Sequence, residues 1–397
     1  MNEVIVAGTG MVPFMKPGAA LPYDQLARQA VRLALADAGI GYEAIEQAYA
    51  GFVYADSTAG QHVLYGLGMT GIPIVNVNNN CSTGSTALYL ARHAVLGGAA
   101  DCVLAVGFEQ MKPGALGTVF DDRPSPFTRF DAVCDTLAAD ASDIPLALRY
   151  FGGAGREHMQ RYGTRLATFA KIRAKASRHA EHNPNAIFRR VMSEEAVLAD
   201  VPLWPGVMTR SMACPPTCGA AAAVLVSEGL ARRMALVGGV RIRAQAMTTD
   251  SPSTFAGASM MSLVGYDMAA SAAARVYEAA GVGPGDIDVC ELHDCFAHNE
   301  LISYEALGFC PEGGAEGFVE SGANTYGGKV VTNPSGGLLS KGHPLGATGL
   351  AQCHELVQQL RGSAGPRQVE GARLALQHNL GLGGACVVTL YERAPSP

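Results

Sequence analysis

Pro73-Ile74-Val75-Asn76-Val77-Asn78-Asn79-Asn80-Cys81-Ser82-Thr83-Gly84-Ser85-Thr86-Ala87-Leu88-Tyr89-Leu90-Ala91 is the stretch that decides the reading of this chain. Its left end, Pro73 to Val77, has the apolar run of a short buried strand. Its right end opens a helix at Ala87, which Ala94, Val95 and Leu96 continue at helical spacing. Between the two, Asn tolerates left-handed backbone angles, and Ser, Thr and Gly supply turn and cap chemistry. Cys81 therefore rides a tight strand-to-helix turn. A thiol there feels the positive end of the helix dipole, which lowers its pKa and favours the thiolate. That arrangement presents a nucleophile; the competing reading is a buried structural cysteine.

Outward from this turn, strands alternate with helices. Residues 2–9 read as a strand, Leu26 to Asp37 as an amphipathic helix ended by Ala38-Gly39, Ala48 to Val53 as a strand, and Cys102 to Gly107 as a buried strand. The alternation predicts a mixed or parallel sheet with helices on its faces. Parts of it recur. Ala38-Gly39-Ile40-Gly41 with Ile45 returns as Ala280-Gly281-Val282-Gly283 with Ile287, both at an offset of 242. Thr83-Gly84 returns as Thr348-Gly349 at an offset of 265, and the Gly219 to Val226 strand returns from Gly384 at an offset of 165. A duplicated unit whose first copy carries about 100 extra residues between 84 and 219 explains the fall in offset. Within that interval Arg149 to Arg190 holds ten Lys or Arg against Glu157 and Glu181, a local +8 in a chain of net −6. This stretch reads as a helix from Thr164 to His182 with Leu166, Phe169 and Ala170 on its core face, and the charge skew predicts a site for an anionic ligand.

Composition excludes several classes. Charged residues make up 16% and hydrophobic ones 48%, so the chain is globular, and a net charge of −6 argues against nucleic acid as the main partner. No apolar run is long enough for a membrane span, and Asn2 to Val6 enters a strand directly, without the pattern of a signal peptide. The closing Ala394-Pro395-Ser396-Pro397 is not a peroxisomal tripeptide. The expected location is the cytoplasm, with the ten Cys as reduced thiols.

Three more segments carry chemistry. Cys290-Glu291-Leu292-His293-Asp294-Cys295-Phe296 follows a strand, so His293 and Cys295 project from a strand end, where α/β sheets bind ligands. The spacing lacks the second matching pair that a structural zinc site needs. Asn333-Pro334-Ser335-Gly336-Gly337 precedes Lys341-Gly342-His343-Pro344-Leu345-Gly346-Ala347-Thr348-Gly349, which places His343 between glycines just before a helix, poised as a base. His378-Asn379-Leu380-Gly381-Leu382-Gly383-Gly384 is a Gly-rich loop able to turn backbone N–H groups toward an oxyanion. A nucleophilic Cys, a His on a Gly loop and a second His–Cys pair outline acyl transfer.

These blocks, with Asn76 to Thr86, closely resemble the sterol-carrier-protein-type thiolases, and the similarity runs from Val4 to Tyr391. The resemblance implies an α/β thiolase fold: two similar halves, each with a mixed five-stranded sheet, stacked in five layers, with a loop domain inserted into the first. The expected boundaries are 1–115 and 211–250 for the first half, 116–210 for the loop domain and 251–397 for the second half. It implies a homodimer or a tetramer of dimers, coenzyme A and acyl-CoA as substrates with no tightly bound cofactor or metal, and no lipid-carrier domain after Tyr391. By position, Cys81 matches the acylated nucleophile and His343 the residue that activates it. His293 takes the place of an oxyanion-hole Asn, and Cys295 matches the acid/base Cys of this branch. His378 stands where other thiolases carry that Cys, and Gly383 lies in the second oxyanion loop. Arg178, Lys175 and Ser335 are the expected coenzyme A contacts. The chain departs from the family at Cys218, where Asp is usual. The expected function is a 3-ketoacyl-CoA thiolase of lipid, fatty-acid or sterol side-chain metabolism. One rival is a carbon–carbon lyase acting by retro-aldol cleavage on a steroid or branched side-chain CoA ester with a small partner protein. The other is a non-catalytic protein that binds lipid or acyl-CoA.

Overall fold

The computed structural model describes residues 3–113, 120–236, 239–256 and 258–393. The expected boundary at 115/116 and the Ala394–Pro397 tail lie outside them. Strand β1 (Val4–Met11) leads to α1 (Tyr23–Ala38), whose seven buried side chains recur at helical spacing and whose Gly39 cap adopts φ 68°. Then come β2 (Gln47–Gly51), β3 (Ile74–Val77), α2 (Thr83–Leu96) and β4 (Cys102–Glu109). A long excursion follows, with α3 (Leu146–Tyr162), α4 (Leu166–Ala180) and a small hairpin of Pro202–Trp204 with Met208–Thr209. The chain returns through β5 (Gly219–Ser227).

The second half repeats this plan: β6 (Val240–Thr248), α5 (Tyr266–Ala280), β7 (Val289–Glu291), α6 (Ala297–Ala306), β8 (Val331–Thr332), α7 (Thr348–Arg361), β9 (Leu374–Gly381) and β10 (Ala385–Arg393). Gly281 caps α5 with φ 63°, as Gly39 caps α1. The excursion between β4 and β5 is matched in the second half by the Leu382–Gly384 turn alone. The excursion falls inside the 84–219 interval across which the sequence offsets change.

The strand order is β8-β7-β9-β10-β6-β1-β5-β4-β2-β3. Each half runs third–second–fourth–fifth–first, with the first three of that order parallel and the other pairings antiparallel. The two five-stranded sheets also meet edge to edge, where Val6 pairs with Val240. Helices α2 and α7 lie between the sheets and touch each other, while α1 and α5 cover the outer faces. The inner pair meets at the duplicated glycines. A Cβ on Gly84 would fall 2.7 Å from the Gly346 carbonyl, and one on Gly349 would fall 2.1 Å from Ser85 Oγ. Only glycine lets these two helix starts approach so closely.

β3 departs from its expected burial. It is the last strand of the sheet, and Val75 is 41% exposed. Its apolar run covers the core on one side only.

Candidate active site

The pieces singled out along the chain converge at the starts of α2 and α7. Asn80 takes φ 49°, and its Nδ2 donates to the Leu382 carbonyl at 3.0 Å, which docks the Gly-rich turn onto the Cys81 turn. Gly381 permits that contact, since a Cβ there would meet the Asn79 carbonyl at 2.3 Å. Cys81 Sγ, one nitrogen of His293 and one of His343 all lie within 4.8 Å of one another. The two rings stand edge to face, 5.1 Å apart.

His343 is held by its backbone and by its ring. Its N–H donates to Thr217 Oγ1 at 3.2 Å, and Nδ1 lies 2.7 Å from Thr348 Oγ1. Thr348 Oγ1 spends its own hydrogen on the Pro344 carbonyl, so it accepts from Nδ1–H and leaves Nε2 of His343 with a lone pair. Burial lowers the pKa of this imidazole to about 3, so the ring is neutral and able to accept a proton. Burial also pushes His293 far down, helped by His343 and His378.

The candidate nucleophile corrects an expectation. Cys81 lies just before the Ser82 cap of α2, yet its pKa is raised to about 12. Burial is the main cause and Glu109 adds to it. Its own N–H and that of Leu382 point at the sulfur and lower the value only partly. Desolvation outweighs the helix dipole here. The resting group is a thiol and not a thiolate. The Gly-loop amide directed at the sulfur is that of Leu382, not of the expected Gly383, which abuts the Phe127 ring. His378 lies inside β9 and not on the Gly loop; its Nδ1 accepts the His293 N–H at 3.4 Å. Cys295 is buried and its pKa lies well above the usual thiol range, through burial and then the nearby Cys214 and Cys81 sulfurs.

Two family models match the chain: "Thiolase, N-terminal domain" over residues 4–192 and "Thiolase C-terminal domain-like" over residues 251–391. A sterol carrier protein 2 of Oryctolagus cuniculus is 54% identical over 99% of this chain and 72% of its own length. The chain belongs to the thiolase family. Its match to sterol carrier protein 2 sets it in the sterol-carrier-protein branch. An acetyl-CoA acetyltransferase of Methanothermobacter thermautotrophicus is 32% identical over 99% of this chain and the whole of its own. Among solved structures, an Ltp2-ChsH2(DUF35) aldolase superposes with a TM-score of 0.84 at 23% identity, covering 100% of this chain and 99% of its own.

Other expected contacts of this thiolase are placed differently. Lys175 is buried, and its Nζ is taken by Glu300, with Thr332 Oγ1 at 2.6 Å and Tyr304 Oη at 3.3 Å. It cannot reach a coenzyme A phosphate. Ser335 is likewise interior: its Oγ donates to Glu291 at 2.7 Å, beside the Lys341–Glu291 ion pair at 3.0 Å. The local +8 is largely cancelled in space. Asp135, Asp140, Glu312, Glu316 and Glu320, all outside the stretch, pair with its Arg and Lys residues. Buried Arg173 donates to Ser340 Oγ and its pKa falls to about 10 through desolvation. Arg178, Arg189 and Arg190 stay exposed.

Several site residues escaped the sequence reading. Glu109 ends β4 and accepts N–H bonds from Val53, Tyr54 and Gly346, tying three loops of the site together; burial raises it to about 7. A carboxylate closing an apolar strand was the available signal. Cys214 N–H donates to the Cys295 carbonyl at 2.9 Å, in a segment that pairs with both Phe296 and His343. Asn379 brings Nδ2 within 3.1 Å of His293 Nδ1. Three consecutive polar residues, Gln377-His378-Asn379, in a strand buried from Ala375 to Gly381 were its signal. Cys218, at the departure from the family, packs its thiol against the Met111 carbonyl at 3.5 Å.

Proposed function

We propose that this thiolase cleaves and forms 3-ketoacyl-CoA by ping-pong acyl transfer through a Cys81 thioester. The observation that carries the reading is the meeting of a buried thiol, a neutral imidazole with a free Nε2 lone pair and a second imidazole within 4.8 Å. In the degradative direction His343 Nε2 takes the Cys81 proton as the sulfur attacks the 3-keto carbonyl. His293 and the loop amides stabilise the oxyanion. The Cα–Cβ bond breaks, and Cys295 protonates the departing acyl-CoA enolate, leaving a Cys295 thiolate and a Cys81 thioester. Coenzyme A then gives its thiol proton to Cys295 and attacks the thioester. Cys81 leaves as thiolate and recovers its proton from His343. No tightly bound cofactor enters these steps. The direct test is stoichiometry: each 3-ketoacyl-CoA consumed should consume one free coenzyme A and yield two acyl-CoA products.

The residual cationic face is where coenzyme A phosphates would sit. Arg178→Ala should raise KM for coenzyme A several-fold with little change in kcat, the signature of lost uniform binding. Initial rates at low salt check this, and an unchanged KM removes Arg178 from the binding site.

The end strand β3 supports a homodimer as the working unit. Its outer edge pairs with no further strand among the described residues and carries exposed Val75, with the 80% exposed Met69 nearby, an edge that a second copy would cover. Light scattering should give twice the chain mass, and Val75→Lys should shift it toward monomer. A wild-type monomer contradicts the arrangement. Among the described residues no helix is long and apolar enough to cross a membrane.

A further inference from the structure

Which nitrogen of His293 carries the proton is fixed by atoms remote from its ring. The Gly349 carbonyl can only accept, so the Gln377 side chain turns its Nε2 toward it at 2.7 Å. The other end of that amide, Oε1, accepts from the Tyr391 hydroxyl. Gln377 Nε2 also donates to Ser85 Oγ at 2.7 Å, which occupies a lone pair of that hydroxyl. Ser85 Oγ–H in turn donates to Asn379 Oδ1 at 2.8 Å. Asn379 is thereby oriented with Nδ2 toward His293 Nδ1, 3.1 Å away. A donor facing Nδ1 requires a lone pair there, and a neutral imidazole then carries its proton on Nε2. His293 Nε2 is buried and has no hydrogen-bond partner among the described residues.

We infer that Asn379, oriented by Ser85 and Gln377, is a positioning residue that locks His293 in its Nε2–H form. The inference rests on the oxyanion role proposed for His293 and explains how the ring is kept a donor. Its neighbour is locked the opposite way. Thr348 holds the His343 proton on Nδ1 and leaves Nε2 bare. Two adjacent imidazoles thus face one substrate with different capacities, one to donate to an oxyanion and one to accept the thiol proton. The same lock removes the Nε2 lone pair that His293 would need to ligate a metal together with Cys81 and His343.

Asn379→Asp tests this with little change of shape. Its carboxylate still accepts from Ser85 but also accepts at His293 Nδ1, which moves the ring proton there and bares Nε2. The first readout is the ring 15N spectrum of histidine-labelled protein, with His293 assigned by loss of its signals in His293→Ala. Wild type should show the Nε2–H form and Asn379→Asp the Nδ1–H form. The second readout is kinetic: kcat should fall about 10²–10³-fold, the cost of losing one oxyanion donor, with KM little changed. Should Asn379→Asp not fold, Ser85→Ala frees the amide to turn and should give a mixture of the two tautomers with a smaller fall in kcat. An Nδ1–H ring in wild type, or an Nε2–H ring kept in both variants, overturns the lock. The oxyanion role fails separately, when His293→Ala retains wild-type kcat while the tautomers are as stated.

Discussion

Cys81→Ala should form no covalent acyl adduct and catalyse no thiolysis, a loss on the order of 10⁶-fold, the scale at which removal of a covalent nucleophile is felt. The expectation follows from the surroundings of the sulfur. Among the described residues, the Cys81 thiol stands beside a neutral imidazole with a free lone pair, and its own N–H and that of Leu382 are directed at the sulfur. In the proposed mechanism a thiol with a pKa of about 12 reacts only when His343 takes its proton in the same step, so the two residues would act as one unit. His343→Ala should therefore approach the same loss. The turn that carries Cys81 is held chiefly by Asn79, Asn80 and Thr83, with only a long 3.7 Å contact from the sulfur to Asn80 Oδ1, so thermal unfolding should change little in Cys81→Ala. Rates with 3-ketoacyl-CoA substrates check the prediction. An acyl adduct that persists in Cys81→Ala assigns the nucleophile elsewhere.

The second large effect separates two candidates for the substrate α-proton. Cys295→Ala should still accept an acyl group on Cys81 from a simple acyl-CoA. It should lose Claisen cleavage and α-proton exchange by roughly 10²–10⁴-fold, the range of general acid–base catalysis. His378→Asn should lose much less. His378 sits in β9 with Nδ1 occupied by the His293 N–H, and burial lowers its pKa to about 4, so at neutral pH it is a neutral imidazole whose remaining N–H is a far weaker acid than a thiol. Cys295 remains a protonated thiol, the better match to a thioester enolate. Deuterium exchange at the α-carbon of acetyl-CoA decides between them. Wild-type exchange in Cys295→Ala with loss in His378→Asn reverses the assignment.

Much of the architecture was legible because it repeats. The offset of 242 maps α1 and its Gly39 cap onto α5 and Gly281, and the offset of 265 maps α2 onto α7, each of fourteen residues. The convergence of Cys81, His293 and His343 was legible for a different reason: glycines, prolines and caps mark where a strand end must present a side chain. Charge was not legible, because the acids that neutralise Arg165 and Lys171 come from Glu316 and Glu320 about 150 positions away. Burial of β3 was misjudged because an apolar run does not say whether a neighbour covers its outer edge. The thiol of Cys81 was misjudged because a helix start is a local feature, whereas desolvation depends on everything packed around it. Asn379 could not be weighed from the sequence, since its value lies in contacts to Ser85 and His293, which the chain separates by hundreds of residues.

The central claim is that an acyl group passes through Cys81. Intact-mass measurement of the protein mixed with a 3-ketoacyl-CoA, without free coenzyme A, tests it most directly. One added acyl group per chain is expected, found on the peptide that contains Cys81 and discharged when coenzyme A is added. Repeated cleavage of a CoA ester with no adduct and without free coenzyme A, as a retro-aldol reaction would give, contradicts it.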